Sequence, residues 1–257
     1  MPTALPTLDS QSPLQTQCHS IVVEAVTQLS SSFGTALHSI YLSGSVARRT
    51  ATIGDSDLNL TLVLNRALSP AQDALLSTIK YHFANQQKVF TQLSLRVVLL
   101  EDVLSISSVF TWGVWLKHSS FCLYGDDLSS RFGCFEPSWD IAKSLNGDIA
   151  EQLKGYRQKI MTTKVLASYI GYCQAIAKKM IWSCFSLVLH REKKLALSLD
   201  DAAKTFLKYY PEKETEIERL YILCSGQQVP KKAALFMINE FGGWIVTEFD
   251  KIERKIG

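Results

Sequence analysis

Long hydrophobic runs are missing from this 257-residue sequence. No stretch approaches the roughly 18 uncharged apolar residues that a membrane-spanning helix needs, so no transmembrane segment is expected. Zinc-binding patterns are missing too. None of Cys18, Cys122, Cys134, Cys173, Cys184 and Cys224 forms a Cys-x-x-Cys pair or meets a histidine at zinc spacing. The five histidines (His19, His38, His82, His118 and His190) show no ligand spacing of their own and are read as structural or solvent-facing. There is no internal repeat and no low-complexity tract. Residues 1–17 hold three prolines but lack a basic start and an apolar core. They are therefore not read as a signal peptide, and residues 1–13 are expected to be a flexible lead-in. Cysteines set in apolar helical sequence suit buried free thiols, a reducing compartment and a cytoplasmic location.

What is present is ordinary for a folded protein: 47% apolar and 20% charged residues. Charge is unevenly placed. Residues 1–140 carry 8 Lys and Arg against 11 Asp and Glu, whereas residues 141–257 carry 19 against 13. An acidic head beside a basic tail suits a polyanion held between them, such as a nucleoside triphosphate, although a solvated Lys/Glu-rich helical surface gives the same asymmetry.

Periodicity divides the chain in two. From Leu14, apolar residues recur at helical spacing through Leu29, and Ser30, Ser31, Ser32 and Gly34 are expected to end that helix. Ser39–Leu42 reads as a buried strand. Asp57–Leu64 alternates, with Leu58, Leu60, Leu62 and Leu64 on one face and Asp57, Asn59, Thr61 and Val63 on the other. Pro70 opens a helix through about Gln86, and Leu93–Leu100 reads as a third strand. Trp112–Asp127 reads as a helix, an extended piece over Phe121–Tyr124 and a turn. After Pro137 strand signals fade. Ile160–His190 is strongly apolar, with Val165, Tyr169, Ile176, Phe185 and Val188 as core candidates. Ser198 is a candidate helix cap, Pro211 follows a helix end, and Pro230 starts a last helix toward Phe249. The expected domains are an α/β unit over residues 14–137 with a small mixed sheet, and an all-α bundle of four or five helices over 138–257.

Chemistry concentrates between Gly44 and Leu60. A strand delivers the small-residue turn Gly44-Ser45, which opens a helix, and Arg48 and Arg49 follow. Such a turn lets backbone N–H groups approach phosphate oxygens, and Ser45 adds a hydroxyl. The next strand follows at once, and around Asp55-Ser56-Asp57 it carries acidic groups on alternate residues. Acidic residues two apart on a strand share a face and can share divalent ions, the arrangement used to activate the attacking oxygen in nucleotidyl transfer.

This stretch resembles the signature of the DNA polymerase beta-like nucleotidyltransferases: an apolar strand, Gly-Ser, about ten residues, then Ser-Asp-apolar-Asp-apolar. The tail from Ala177 through Ser198-Leu-Asp-Asp-Ala-Ala to Tyr210-Pro211 is similar to the helical domain of streptomycin- and spectinomycin-type adenylyltransferases. The resemblance implies transfer of AMP from ATP, with Mg2+, to a hydroxyl of a small-molecule acceptor. It places the nucleotide at Gly44 and Ser45, in a cleft between the domains, with Arg48, Arg49 and Lys178 as candidate phosphate contacts.

The sequence departs from that pattern. The second aspartate of the pair is Asn59, which brings no charge, and Arg96 aligns best with the third carboxylate, on the later strand. Arginine neither ligates a cation nor acts as a base, and here it would pair with Asp57. Three readings stay open. Metal catalysis is lost and the chain is a pseudoenzyme, a nucleotide-binding or protein-interaction module resembling the minimal nucleotidyltransferase antitoxins. Alternatively, the register slips by two and Asp55 joins Asp57 as the metal pair, with Asn59 in support. In the third, weak activity survives on one ion. Nothing points to a membrane partner or to sequence-specific nucleic-acid recognition.

Overall fold

The computed structural model describes residues 4–192 and 194–256. The chain forms two compact units, Pro6–Phe135 and Glu136–Gly257, the latter joined by the chain's first five residues. Among the described residues no helix is long and apolar enough to cross a membrane, and all six cysteines are free thiols.

The first unit contains four strands, β1 (Leu37–Ser43), β2 (Leu58–Leu64), β3 (Leu93–Leu99) and β4 (Ser120–Gly125), in the order β3-β2-β1-β4. β1 runs antiparallel to both β2 and β4, while β2 and β3 are parallel, which makes the sheet mixed. The helix α1 (Thr16–Phe33) precedes β1, and α2 (Gly44–Ala47), α3 (Pro70–Gln86), α4 (Leu100–Leu104) and α5 (Val114–His118) fall between the strands. The expected alternation of β2 holds. Leu58, Leu60, Leu62 and Leu64 pack with Ile40 and Leu42, and with Leu29 of α1 and Ile79 of α3. Val63 belongs to a separate cluster with Tyr41, Val98 and Leu116. Both faces are thus covered, and burial of a leucine-lined surface and of a second apolar one drives the unit's assembly.

Two local expectations hold in part. Ser30–Ser32 do not end α1: Ser30 and Ser31 donate their hydroxyls to the carbonyls of Thr27 and Gln28, the helix continues to Phe33, and Gly34 ends it at φ +46°. The extended piece before Gly125 is a full strand. It pairs with β1 through an irregularity between Ile40 and Tyr41, and such a break blurs the alternation that would mark a strand. The α3 start follows its sequence signal closely, with a reciprocal capping box between Ser69 and Gln72.

The second unit is helical: α6 (Trp139–Asn146), α7 (Ile149–Thr162), α8 (Leu166–Leu189), α9 (Leu199–Leu207), α10 (Glu214–Cys224) and α11 (Lys231–Ile256). That is six helices among the described residues, not four or five. The extra ones come from two breaks: one at Gly147, which ends α6, and one between α7 and α8 that no proline or glycine announces. The apolar stretch from Ile160 is interrupted after Thr162, and Val165, expected in the core, is 61% exposed as the residue preceding α8. The central α8 has buried residues on most of its circumference, as a helix surrounded by others requires. Asn146 at the end of α6 donates to Ser186 Oγ (2.8 Å) and to the Trp182 carbonyl (3.3 Å) on α8. Ser198 caps α9 by accepting from the Asp201 amide at 3.1 Å.

Candidate functional site

β1 ends at Ser43 and the chain turns into the four-residue α2 at Gly44. Gly44 has φ +79°, and a Cβ there would lie 2.9 Å from Asn59 Nδ2. Two constraints therefore select glycine: the left-handed backbone and the closeness of the β2 side chain. Ser43 pairs with Asn59 across the sheet, so Asn59 is fixed next to the turn. The Ser45 carbonyl accepts from the Thr50 amide at 2.9 Å and closes the loop behind α2. The Ser45 hydroxyl and the half-buried Arg48 guanidinium have no hydrogen-bond or ion-pair partner among the described residues. Burial pulls the Arg48 pKa below its ordinary value, because desolvation penalises the charged form.

Arg49 is differently placed. It adopts φ +60°, rare for a residue with a side chain. Its guanidinium donates to the carbonyls of Asp9 (2.7 Å), Pro13 (3.1 Å) and Ala47 (3.2 Å), and also to that of Ser12. Gln15 adds a reciprocal pair of bonds to the Ala51 backbone, each 3.1 Å. Arg49 thus fastens residues 9–13 to the loop after α2, and four carbonyls occupy the donors that a triphosphate would need. Arg49→Ala is expected to raise proteolytic cleavage within residues 9–13 roughly tenfold, since losing these bonds removes the local cost of opening. Limited proteolysis followed by mass spectrometry checks this.

Asp57 immediately precedes β2. The Thr91 hydroxyl donates to its Oδ1 and the Gln92 amide to its Oδ2, the latter at 2.9 Å. Backbone bonds hold the two segments together: Thr91 N–H to Ser56 O and Leu58 N–H to Gln92 O, both 3.0 Å, and Gly54 N–H to Val89 O at 2.8 Å. Thr91 and Gln92 went unnoticed in the sequence because they lie in a loop and carry no motif. Asp55 cannot join Asp57 on a strand face: it lies exposed in a turn, and the strand starts only at Leu58. That register slip is corrected. So is the pairing of Arg96 with Asp57. In the parallel register, β3 sets Ser94 beside Asn59 and Arg96 beside Thr61. The Arg96 guanidinium lies 4.5 Å from the Trp112 ring centroid, a cation–π contact. Lys178 is exposed on α8 in the helical unit, and its neighbour Lys179 is paired with Asp148 at 2.6 Å.

The donors near the turn are therefore one carboxylate already hydrogen-bonded at both oxygens, the Asn59 amide and the hydroxyls of Ser45 and Ser94. A pair of divalent ions needs shared negative oxygens, and this set does not fit one. Among the described residues no group of three or more His, Cys, Asp or Glu side chains is placed to hold a metal ion.

No family model matches the sequence, and no curated protein matches it. Among solved structures, the chain is similar to spectinomycin adenyltransferase AAD(9) from Enterococcus faecialis, determined with ATP and spectinomycin. The TM-score is 0.56 and the identity 12%, and the match covers 89% of this chain and 98% of that one. At this identity the likeness speaks for the fold, which is nucleotidyltransferase-like: a mixed four-stranded sheet with helices, followed by a helical region.

Proposed function

We propose that the chain is a nucleotide-binding protein on a nucleotidyltransferase-like fold, with transfer of AMP from ATP to a small-molecule hydroxyl weakened or lost. One observation carries the reading. The positions beside the Gly44–Ser45 turn hold Asn59 and Ser94, and the single remaining carboxylate, Asp57, is hydrogen-bonded to Thr91 and Gln92. The residues expected to meet phosphate support nucleotide binding. Backbone N–H groups of the turn, the Ser45 hydroxyl and the unpartnered Arg48 are the groups we assign to anion binding. The solved neighbour was determined with ATP, which makes ATP the first ligand to try.

Calorimetric titration tests this. ATP should bind without Mg2+, and Arg48→Ala should weaken binding about tenfold, the loss of one charge-assisted contact. Asp57→Ala should change affinity little. Binding that requires both Mg2+ and Asp57 would overturn the loss of ion-dependent chemistry. No binding at all would remove the nucleotide and leave the protein-interaction reading.

A further inference from the structure

The helical unit holds a second candidate site, and its case does not depend on the nucleotide reading. A cavity of about 660 Å³ lies between α10 and the first two turns of α11, with Val229 and Pro230 of the connecting turn among its lining residues. Its size falls in the range of small-molecule sites. Arg219, Ile222 and Leu223 face it from α10 at spacings of three and four, which put them on one side of that helix. Ala233, Phe236 and Met237 do the same from α11, and Lys232 lines it one turn before Phe236. Leu223 and Met237 are each 5% exposed and form the apolar floor. Ile222 and Phe236, at 48% and 54% exposure, leave large apolar surface in solvent beside the hollow.

The charges are as informative as the walls. Arg219 and Lys232 line the cavity and have no acidic or hydrogen-bond partner among the described residues. The adjacent Lys231, by contrast, donates to the Thr163 carbonyl at 2.6 Å. An apolar trough with two unneutralised cations is complementary to a molecule with a hydrocarbon body and a negative head. The same cations disfavour amines.

We propose that this cavity binds an amphipathic carboxylate of the free fatty acid class, its chain lying between Ile222 and Phe236 and its head meeting Arg219 and Lys232. The test is calorimetric titration of the full-length protein with decanoate below its micelle concentration. Competition by decyltrimethylammonium, which has the same chain and the opposite charge, is measured alongside. Two variants accompany it. Arg219→Glu with Lys232→Glu reverses charges on exposed positions, and Ala233→Trp fills the hollow while keeping both cations. Thermal melts confirm that each folds. The expected result is one decanoate per chain, at least tenfold weaker binding on charge reversal, loss of binding in Ala233→Trp, and no competition from the cationic analogue. The proposal fails if decanoate does not bind, if the cationic analogue competes equally, or if both variants bind as the unmodified protein does. It also fails if a glutamate-rich amphipathic helical peptide binds where decanoate does not, because the cavity is then a protein-docking groove.

Discussion

Gly125→Ala should destabilise the α/β unit by about 4 kcal/mol, the largest loss expected from adding one methyl group anywhere in that unit. The residue sits at the end of β4 with φ +78°, and its Cβ would lie 2.0 Å from the His38 carbonyl oxygen and 3.0 Å from the Ser39 Cα. Neither obstacle is a side chain that can rotate away. Relief requires β1 and β4 to separate where Ser39 pairs with Gly125. Gly34 and Gly133 are the comparators. Gly34 shares a positive φ of +46° but has nothing within 4 Å of its added Cβ, so its alanine variant should lose only about 1 kcal/mol. Gly133 has neither constraint, and alanine there should be neutral within about 0.5 kcal/mol. Urea unfolding of the three variants gives the ranking. A Gly125 variant no worse than the Gly34 variant would show that the β1–β4 junction is looser than described.

The second large effect is a gain. Asn59→Asp combined with Ser94→Glu places two carboxylates near Asp57, one two residues along the chain on β2 and one across from it on β3, where Ser94 pairs with Asn59. Without metal, three neighbouring negative charges repel and the variant should melt below the unmodified protein. With Mg2+ they form a shared oxygen cluster. An ion present at 100 times its dissociation constant stabilises the folded state by about 2.7 kcal/mol. The variant's melting temperature should therefore rise by several degrees with Mg2+, while that of the unmodified protein stays put. If the unmodified protein is itself stabilised by Mg2+ through Asp57, the ion site survives and the proposed loss of catalysis is wrong. Adding Thr91→Ala, which frees one oxygen of Asp57, should enlarge the response further.

The sequence was most informative where side-chain period and backbone chemistry agreed. The leucines of β2 announced a strand with one face in the core, and Pro70 and Ser198 announced helix starts that the structure reproduces at those residues. It was least informative where tertiary pairing overrides local pattern. β4 is a strand because β1 supplies its hydrogen bonds, and the helix break at Thr163–Val165 has no breaker residue. The site divides the same way. The need for glycine at position 44 and the missing charge at position 59 follow from residue type alone. The partner of Arg96 does not, because a two-residue difference in register decides whether β3 sets Ser94 or Arg96 beside Asn59. Nor does the attachment of Asp57 to Thr91 and Gln92, residues 34 and 35 positions away. Arg49 was placed with Arg48 on proximity to the turn, and only the geometry separates a guanidinium held by the preceding segment from one left unpartnered.

The contact of Asn146 with Ser186 and Trp182 has a bearing on how the bundle keeps its alignment. Greasy helices slide: moving one past another by a turn exchanges one set of apolar neighbours for a similar set, at small cost. Asn146 is buried, and a shift of one turn would strand its amide among hydrocarbon with no acceptor. The amide thus works as an indexing pin, admitting one setting of α6 against α8 and penalising the rest. Replacing the surrounding apolar residues with others of similar volume should leave that setting intact, whereas Asn146→Leu keeps the bulk and removes the reason for the helices to stop where they do.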